Sequence, residues 1–250
     1  MESGIYEGNM TERVIPSENV QLMFHYKNPF LVYHTGNITK KQPRSIISGL
    51  SNSWSDVSTN GETGVVFISF YPAGACHFFD FPLSAIENQS IDMADIYSRE
   101  INKVEEILSE KRTIPEKVSV IDDFLLKRFS PVTSYNYLLI HKAYDIIKHR
   151  KGQITVANLT ENLSITTKSL ERKFSQYIGK TTKQVIKLVR FQEILKDFSN
   201  TKEINLTDCA YRNGYFDQTH FIKDFKSYSG YTPKEFLLKY PGYNINADHC

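Results

Sequence analysis

The chain has 250 residues, 40% hydrophobic, 23% charged and 13% aromatic, with only 12 Gly and 9 Pro. That composition excludes disorder over most of its length, and the absence of any run of 18 apolar residues excludes a membrane-spanning helix. The net charge of +2 conceals an asymmetry: residues 1–130 hold 12 Lys+Arg against 17 Asp+Glu, net −5, while residues 131–250 hold 18 against 11, net +7.

In chain order, the apolar runs 20–26, 30–33, 44–48 and 65–71 are rich in β-branched and aromatic residues. They are separated by turn residues at Asn28-Pro29, Thr35-Gly36-Asn37 and Asn60-Gly61, which predicts an antiparallel sheet or small barrel. Beyond Pro72-Ala73-Gly74 the period changes. Ile101, Val104 and Leu108, then Val118, Ile121 and Leu125, recur at helical spacing and predict helices over 93–110 and 115–129. These stripes face either the domain's own core or a second protomer. Residues 1–130 thus read as an α+β domain for effector sensing or dimerisation.

Ser130-Pro131 marks the boundary, because proline turns the preceding residue away from the helical region. Residues 131–250 carry no strand signal and read as an all-α domain. A first helix ends near His149, and Lys151-Gly152 is its stop. The sequence then nearly repeats at an offset of 51: Thr166 matches Asp217, Leu170 matches Phe221, Phe174 matches Phe225 and Tyr177 matches Tyr228. Gly179 with Gly230, Thr181 with Thr232 and Lys183 with Lys234 continue the register.

Each copy reads as a short helix, a tight turn and a capped second helix, over about 156–178 and 206–229. That is the helix-turn-helix, whose second helix enters the DNA major groove. With one face anchored inward, the outward residues are candidates for reading bases: Lys168, Ser169, Glu171 and Arg172 in the first copy, and Gln218, Thr219, His220 and Lys223 in the second. A linker helix from Thr182 to Ser199 spans about 27 Å, near one turn of duplex, so both reading helices can reach successive major grooves. Lys183, Lys187, Arg190, Lys226 and Lys234 are the candidate phosphate contacts.

At these residues the C-terminal half resembles the AraC/XylS family of bacterial transcription regulators. Residues 165–174 look like that family's first recognition helix, and residues 210–221, with Phe225-Lys226, Gly230-Tyr231-Thr232-Pro233 and Phe236, resemble its C-terminal signature. One departure is Thr181-Thr182, where Ser-Pro or Thr-Pro is usual. The resemblance implies double-stranded promoter DNA as partner and RNA polymerase as the protein partner of an activator. It also implies an N-terminal half that binds a small effector, forms a homodimer, or both. Residues 11–90 more faintly resemble an uncharacterised N-terminal domain of some members, through 12–16, 43–50, 66–75 and Pro82-Leu83.

In the N-terminal half, His25, Tyr33, Trp54, Phe70, Tyr71 and His77 are candidates to line an effector pocket. Cys76-His77 invites a metal or nucleophile reading, with His25 and His34 as further ligands. No Cys-x-x-Cys or His-x-His accompanies it, so no metal, cofactor or catalytic residue is expected. The alternatives are a DNA-docked enzyme or repair-type protein with chemistry near Cys76, and a constitutive regulator whose N-terminal half only dimerises. Three distant cysteines (Cys76, Cys209, Cys250) and no secretory leader pattern predict free thiols in the cytoplasm.

Overall fold

A computed structural model describes residues 2–6, 10–34, 38–59, 61–200, 204–241 and 243. The Thr35-Gly36-Asn37 turn, Asn60, Cys250 and the side chain of His34 lie outside the described residues. The chain divides into two units: residues 1–14, 19–50 and 55–133 form one, and residues 15–18, 51–54 and 134–250 the other.

Among the described residues of the first unit, nine strands pair antiparallel throughout. They are β1 (Glu2–Tyr6), β2 (Thr11–Val14), β3 (Val20–His25), β4 (Leu31–His34), β5 (Ile38–Lys41), β6 (Ser45–Ser48), β7 (Ser55–Ser58), β8 (Thr63–Phe70) and β9 (Ser90–Asp92). The expected antiparallel sheet structure is divided between a five-stranded sheet, β1-β8-β3-β6-β9, and a four-stranded sheet, β2-β7-β4-β5. The four apolar runs of the sequence become β3, β4, β6 and β8. The other strands are short and mostly polar. β2 and β7, for example, are held in register by a bidentate Arg13–Asp56 pair at 2.7 and 2.9 Å, opposite each other across the ladder.

Two helices cover the five-stranded sheet's core. α1 (Met93–Glu110) starts at Asp92, whose carboxylate accepts from the Ala94 amide, and it is interrupted at Ser98, where φ is 35°. α2 (Ile114–Leu126) starts with a Thr113/Glu116 capping box and an early proline. Ile101, Val104 and Leu108 of α1, with Ile121, Phe124 and Leu125 of α2, are buried within this unit. Phe124 meets Phe24 of β3 edge-on at 6.0 Å. The apolar stripes therefore face the unit's own core, and only Val118 is half-buried.

The second unit is helical: α3 (Tyr135–His149), α4 (Val156–Leu163), α5 (Thr167–Tyr177), α6 (Thr182–Asn200), α7 (Leu206–Arg212), α8 (Gln218–Ser229) and α9 (Pro233–Lys239). Residues 15–18 belong here because their polar groups are satisfied here. The buried Gln192 amide donates to the Pro16 carbonyl at 2.6 Å. The Glu18 carboxylate pairs with Lys148 at 2.9 Å and accepts from the Tyr144 hydroxyl. Among the described residues, no helix is long and apolar enough to cross a membrane.

Candidate nucleic-acid interface

The two helix-turn-helix copies are built by matching local chemistry. Thr155 caps α4 by accepting from the Asn158 amide, and Asn205 caps α7 by accepting from Thr207 and Asp208. Thr166 starts α5 by accepting from Ser169, and Asp217 starts α8 by accepting from His220 at 2.8 Å. Leu170 and Phe174 of α5 and Phe221 and Phe225 of α8 are fully buried, so each second helix is anchored along one stripe. Gly179 and Gly230 follow with φ of 86° and 76°, a left-handed conformation that costs an L side chain energy. Thr181 with Gln184 and Thr232 with Glu235 then begin the next helices in the same way.

The proline missing at Thr182 has a structural partner. The Thr182 amide donates to the Glu171 carboxylate at 2.9 Å, a bond proline cannot make. In the second copy the corresponding positions are Ile222, whose side chain has no acceptor, and Pro233, which has no N–H to donate. Each copy is therefore self-consistent.

Anchoring leaves an outward face. Lys168, Arg172, Gln218, Thr219, His220, Lys223 and Lys226 are exposed, as are Lys183 and Lys234; Ser169 is half-buried. Three other nominated residues are engaged inside the unit. Glu171 holds the Thr182 amide, and Lys187 pairs with Asp224 of α8 at 3.0 Å. Arg190 donates to the Gly152 carbonyl at 2.7 Å and lies over the Tyr215 ring. Asp224 is shared, since the His220 imidazole lies 3.6 Å away.

α6 does more than span. Its 19 residues cover about 28 Å. Val185, Leu188, Val189, Phe191, Ile194, Leu195 and Phe198 are buried in the unit's core. Phe191 stacks on Tyr228 at 4.9 Å, and Phe198 packs against Phe225 at 5.4 Å, joining α6 to α8. Two supports were not visible in the sequence. Asn213, buried, donates to the Asp197 carboxylate and the Cys209 carbonyl, both at 2.9 Å. Lys173, also buried, donates to Asn136 at 2.7 Å. A buried lysine or asparagine in a helical pattern carries no periodic signal, so only the fold identifies them.

The six aromatic and histidine candidates of the N-terminal half occupy dissimilar places. Phe70 is core, packed on Phe78 at 5.2 Å, whereas Tyr71 is 86% exposed. Tyr33 lies on the four-stranded sheet, where its hydroxyl accepts from Ser58 at 3.2 Å, and Trp54 belongs to the second unit. His77 accepts from the Val132 amide at 2.9 Å through Nδ1. His25 is buried, bonded to Gln42 at 3.1 Å, and burial lowers its imidazole to about 4. A cleft of about 440 Å³ in this unit is lined instead by Lys27, Lys41, Gln42, Arg44 and Glu62, among others. The Cys76 thiol donates to the Ala73 carbonyl, and burial pushes it up to about 11, away from thiolate reactivity. Among the described residues, no group of three His, Cys, Asp or Glu side chains is placed to hold a metal.

Comparison with known proteins follows the same division. Residues 159–239 match a family described as a helix-turn-helix domain. Two solved structures of ToxT from Vibrio cholerae share the fold across both units. The wild-type protein of strain SCE256 with bound unsaturated fatty acid is 11% identical, covers 97% of this chain and 96% of that one, and has a TM-score of 0.53. The protein of strain O395 bound to (E)-4-(8-methylnaphthalen-1-yl)but-3-enoic acid is 14% identical over 95% and 98%, with a TM-score of 0.51. The second unit carries this helix-turn-helix domain. The chain is also similar to a "probable thc operon regulatory protein" of Rhodococcus erythropolis, 26% identical over 106 residues, or 41% of this chain. The chain spans about a third, 32%, of that curated relative. Residues 3–92 match a domain of unknown function, DUF6597.

Proposed function

We propose that the protein is a sequence-specific DNA-binding regulator of transcription in which α5 and α8 enter successive major grooves. The observation that carries this reading is the pair of matched, capped helices held by one buried linker helix, each with an exposed polar face. Lys168, Arg172, Gln218, Thr219 and Lys223, with Ser169 and His220 beside them, read base edges. Arginine and lysine suit guanine, glutamine suits adenine, and the Thr219 methyl suits thymine. Lys183, Lys226 and Lys234 meet phosphates. Glu171, Lys187 and Arg190, nominated for the same face, chiefly hold it in shape, since their charged groups are already engaged.

The test is binding by the full chain to a duplex selected from random sequence, compared with unrelated duplex. Arg172→Ala and Gln218→Ala each lose about 1–3 kcal/mol, confined to one base-pair position. Lys183→Ala weakens selected and unrelated duplexes alike and lowers the salt slope by about one. Equal losses on both duplexes for all three variants would remove the base-reading assignment.

The first unit is the controlling half, and its effector is a small organic anion. Both ligands named in the ToxT structures are carboxylic acids. In this chain the cleft gathers Lys27, Lys41 and Arg44, with Glu62 as its acidic residue and Lys27 paired to it. Gln42 of the lining is hydrogen-bonded to His25, so one of the sequence candidates stands directly behind the cleft.

A further inference from the structure

The repeat changes register at a single residue. The first helices, α4 and α7, start at Val156 and Leu206, 50 apart, and the second helices, α5 and α8, start at Thr167 and Gln218, 51 apart. Both turns follow the same bonds. Ser164 and Gly214, left-handed with φ of 50° and 74°, donate to Glu161 and Tyr211. Ile165 and Tyr215 donate to Thr160 and Ala210. The first copy then passes directly to its N-cap, Thr166. The second interposes one extra residue, Phe216, before its N-cap, Asp217.

That inserted residue is a phenylalanine 91% exposed, the most exposed of the large hydrophobic side chains described. Its neighbours are held firmly. Tyr215 is buried against Phe221 at 5.4 Å and His220 at 5.3 Å, and Asp217 is tied to the His220 amide. Phe216 thus projects from a fixed backbone at the N-terminal end of α8, the end of a recognition helix that approaches base edges. The chemistry an exposed ring finds in a major groove is the 5-methyl group of thymine.

We propose that Phe216 is a specificity-determining residue that packs on a thymine methyl at the edge of the site read by α8, giving the second half-site a preference the first lacks. This rests on the DNA-binding reading above.

The experiment uses the full chain and a duplex it selects from random sequence, with each thymine replaced in turn by deoxyuridine. For the unsubstituted protein, one replacement under the N-terminal end of α8 weakens binding about fourfold, the equivalent of one buried methyl group. In Phe216→Ala that position becomes insensitive to the methyl, while sensitivity elsewhere and the salt slope are unchanged, because no charge is removed. Phe216→Leu keeps part of the sensitivity. An identical deoxyuridine profile for Phe216→Ala and the unsubstituted protein overturns the proposal. Loss of transcription with binding and profile unchanged also overturns it and assigns the ring to a protein partner. Failure to enrich any sequence overturns the DNA-binding reading itself, whereas enrichment with an unaltered profile removes only the role of Phe216.

Discussion

His25 shows how one buried polar group ties sequence to stability. Its Nε2 faces Gln42, while Nδ1 is buried without a hydrogen-bond partner and the ring packs edge-on against Phe30 at 5.0 Å. A second ring proton would find no acceptor, so the folded state keeps the imidazole neutral and its pKa falls to about 4. Unfolded, the same ring titrates near 6.5. Between those values the unfolded chain binds the extra proton, so stability rises with pH across the window and is lost on acidification. Urea unfolding of the first unit should lose about 2 kcal/mol from this group between pH 7.5 and pH 5, and His25→Gln should abolish that share. A second residue-scale test concerns Glu171 and Thr182. Thr182→Pro removes the amide N–H that holds the carboxylate and frees a negative charge beside the exposed face of α5 proposed to read bases. It should weaken DNA binding, and adding Glu171→Ile, which copies the Ile222/Pro233 pair, should restore it. A coupling energy near zero in that double-mutant cycle would show the pair to be independent.

Among the elements, those with a strong period were legible in the sequence and those held by other means were not. α1, α3, α4, α5, α6, α7 and α8 fall within a residue or two of their expected spans, and α2 stops three residues short, because each buries an apolar stripe or begins at a side-chain cap. β5 and β7 escaped notice because Ile-Thr-Lys-Lys and Ser-Asp-Val-Ser carry no strand pattern; pairing with β4 holds both. The turn after α3 was legible as Lys151-Gly152, but its tightness was not. Gly152 has φ of 69°, and a Cβ there would lie 2.6 Å from the Ile186 carbonyl oxygen and 2.7 Å from the Arg190 amide. Both obstacles are backbone of α6, so neither can step aside. Gly152→Ala should cost about 3 kcal/mol in thermal or urea unfolding of the second unit. Gly214→Ala has a similar φ of 74°, but its nearest neighbour is the flexible Gln153 side chain at 3.0 Å, so it should cost about 1 kcal/mol. Equal losses would mean that backbone conformation, not the approach of α6, dominates at both turns.

For the whole molecule, the split of charge is functional in the proposed reading: a half of net +7 carries the DNA face, and a half of net −5 has no need of phosphate. The pair of capped helices, each anchored along one side, was legible from the repeat, whereas the cleft of the first unit was not. Aromatic residues of a sheet fill cores as readily as pockets, and the cations around the cleft come from separate segments at 27, 41 and 44 with no local spacing. In the proposed reading, control of one unit by the other would be a coupling free energy, and reciprocal: whatever factor an effector applied to DNA affinity, DNA would apply to effector affinity. A long-chain unsaturated fatty acid, below its micellar concentration, should therefore change the affinity of the full chain for its selected duplex by about 5–150-fold. Calorimetric titration of the same acid should find its own affinity changed by an equal factor when duplex is present. Replacing Lys41 and Arg44 together with alanine removes two cations from the cleft while leaving the Lys27–Glu62 pair intact. That variant should bind duplex as before and lose the response to the acid in both titrations. An undiminished response would place the anion elsewhere. No response in the unsubstituted protein would leave the first unit without a fatty-acid effector, and base reading by α5 and α8 would stand without it.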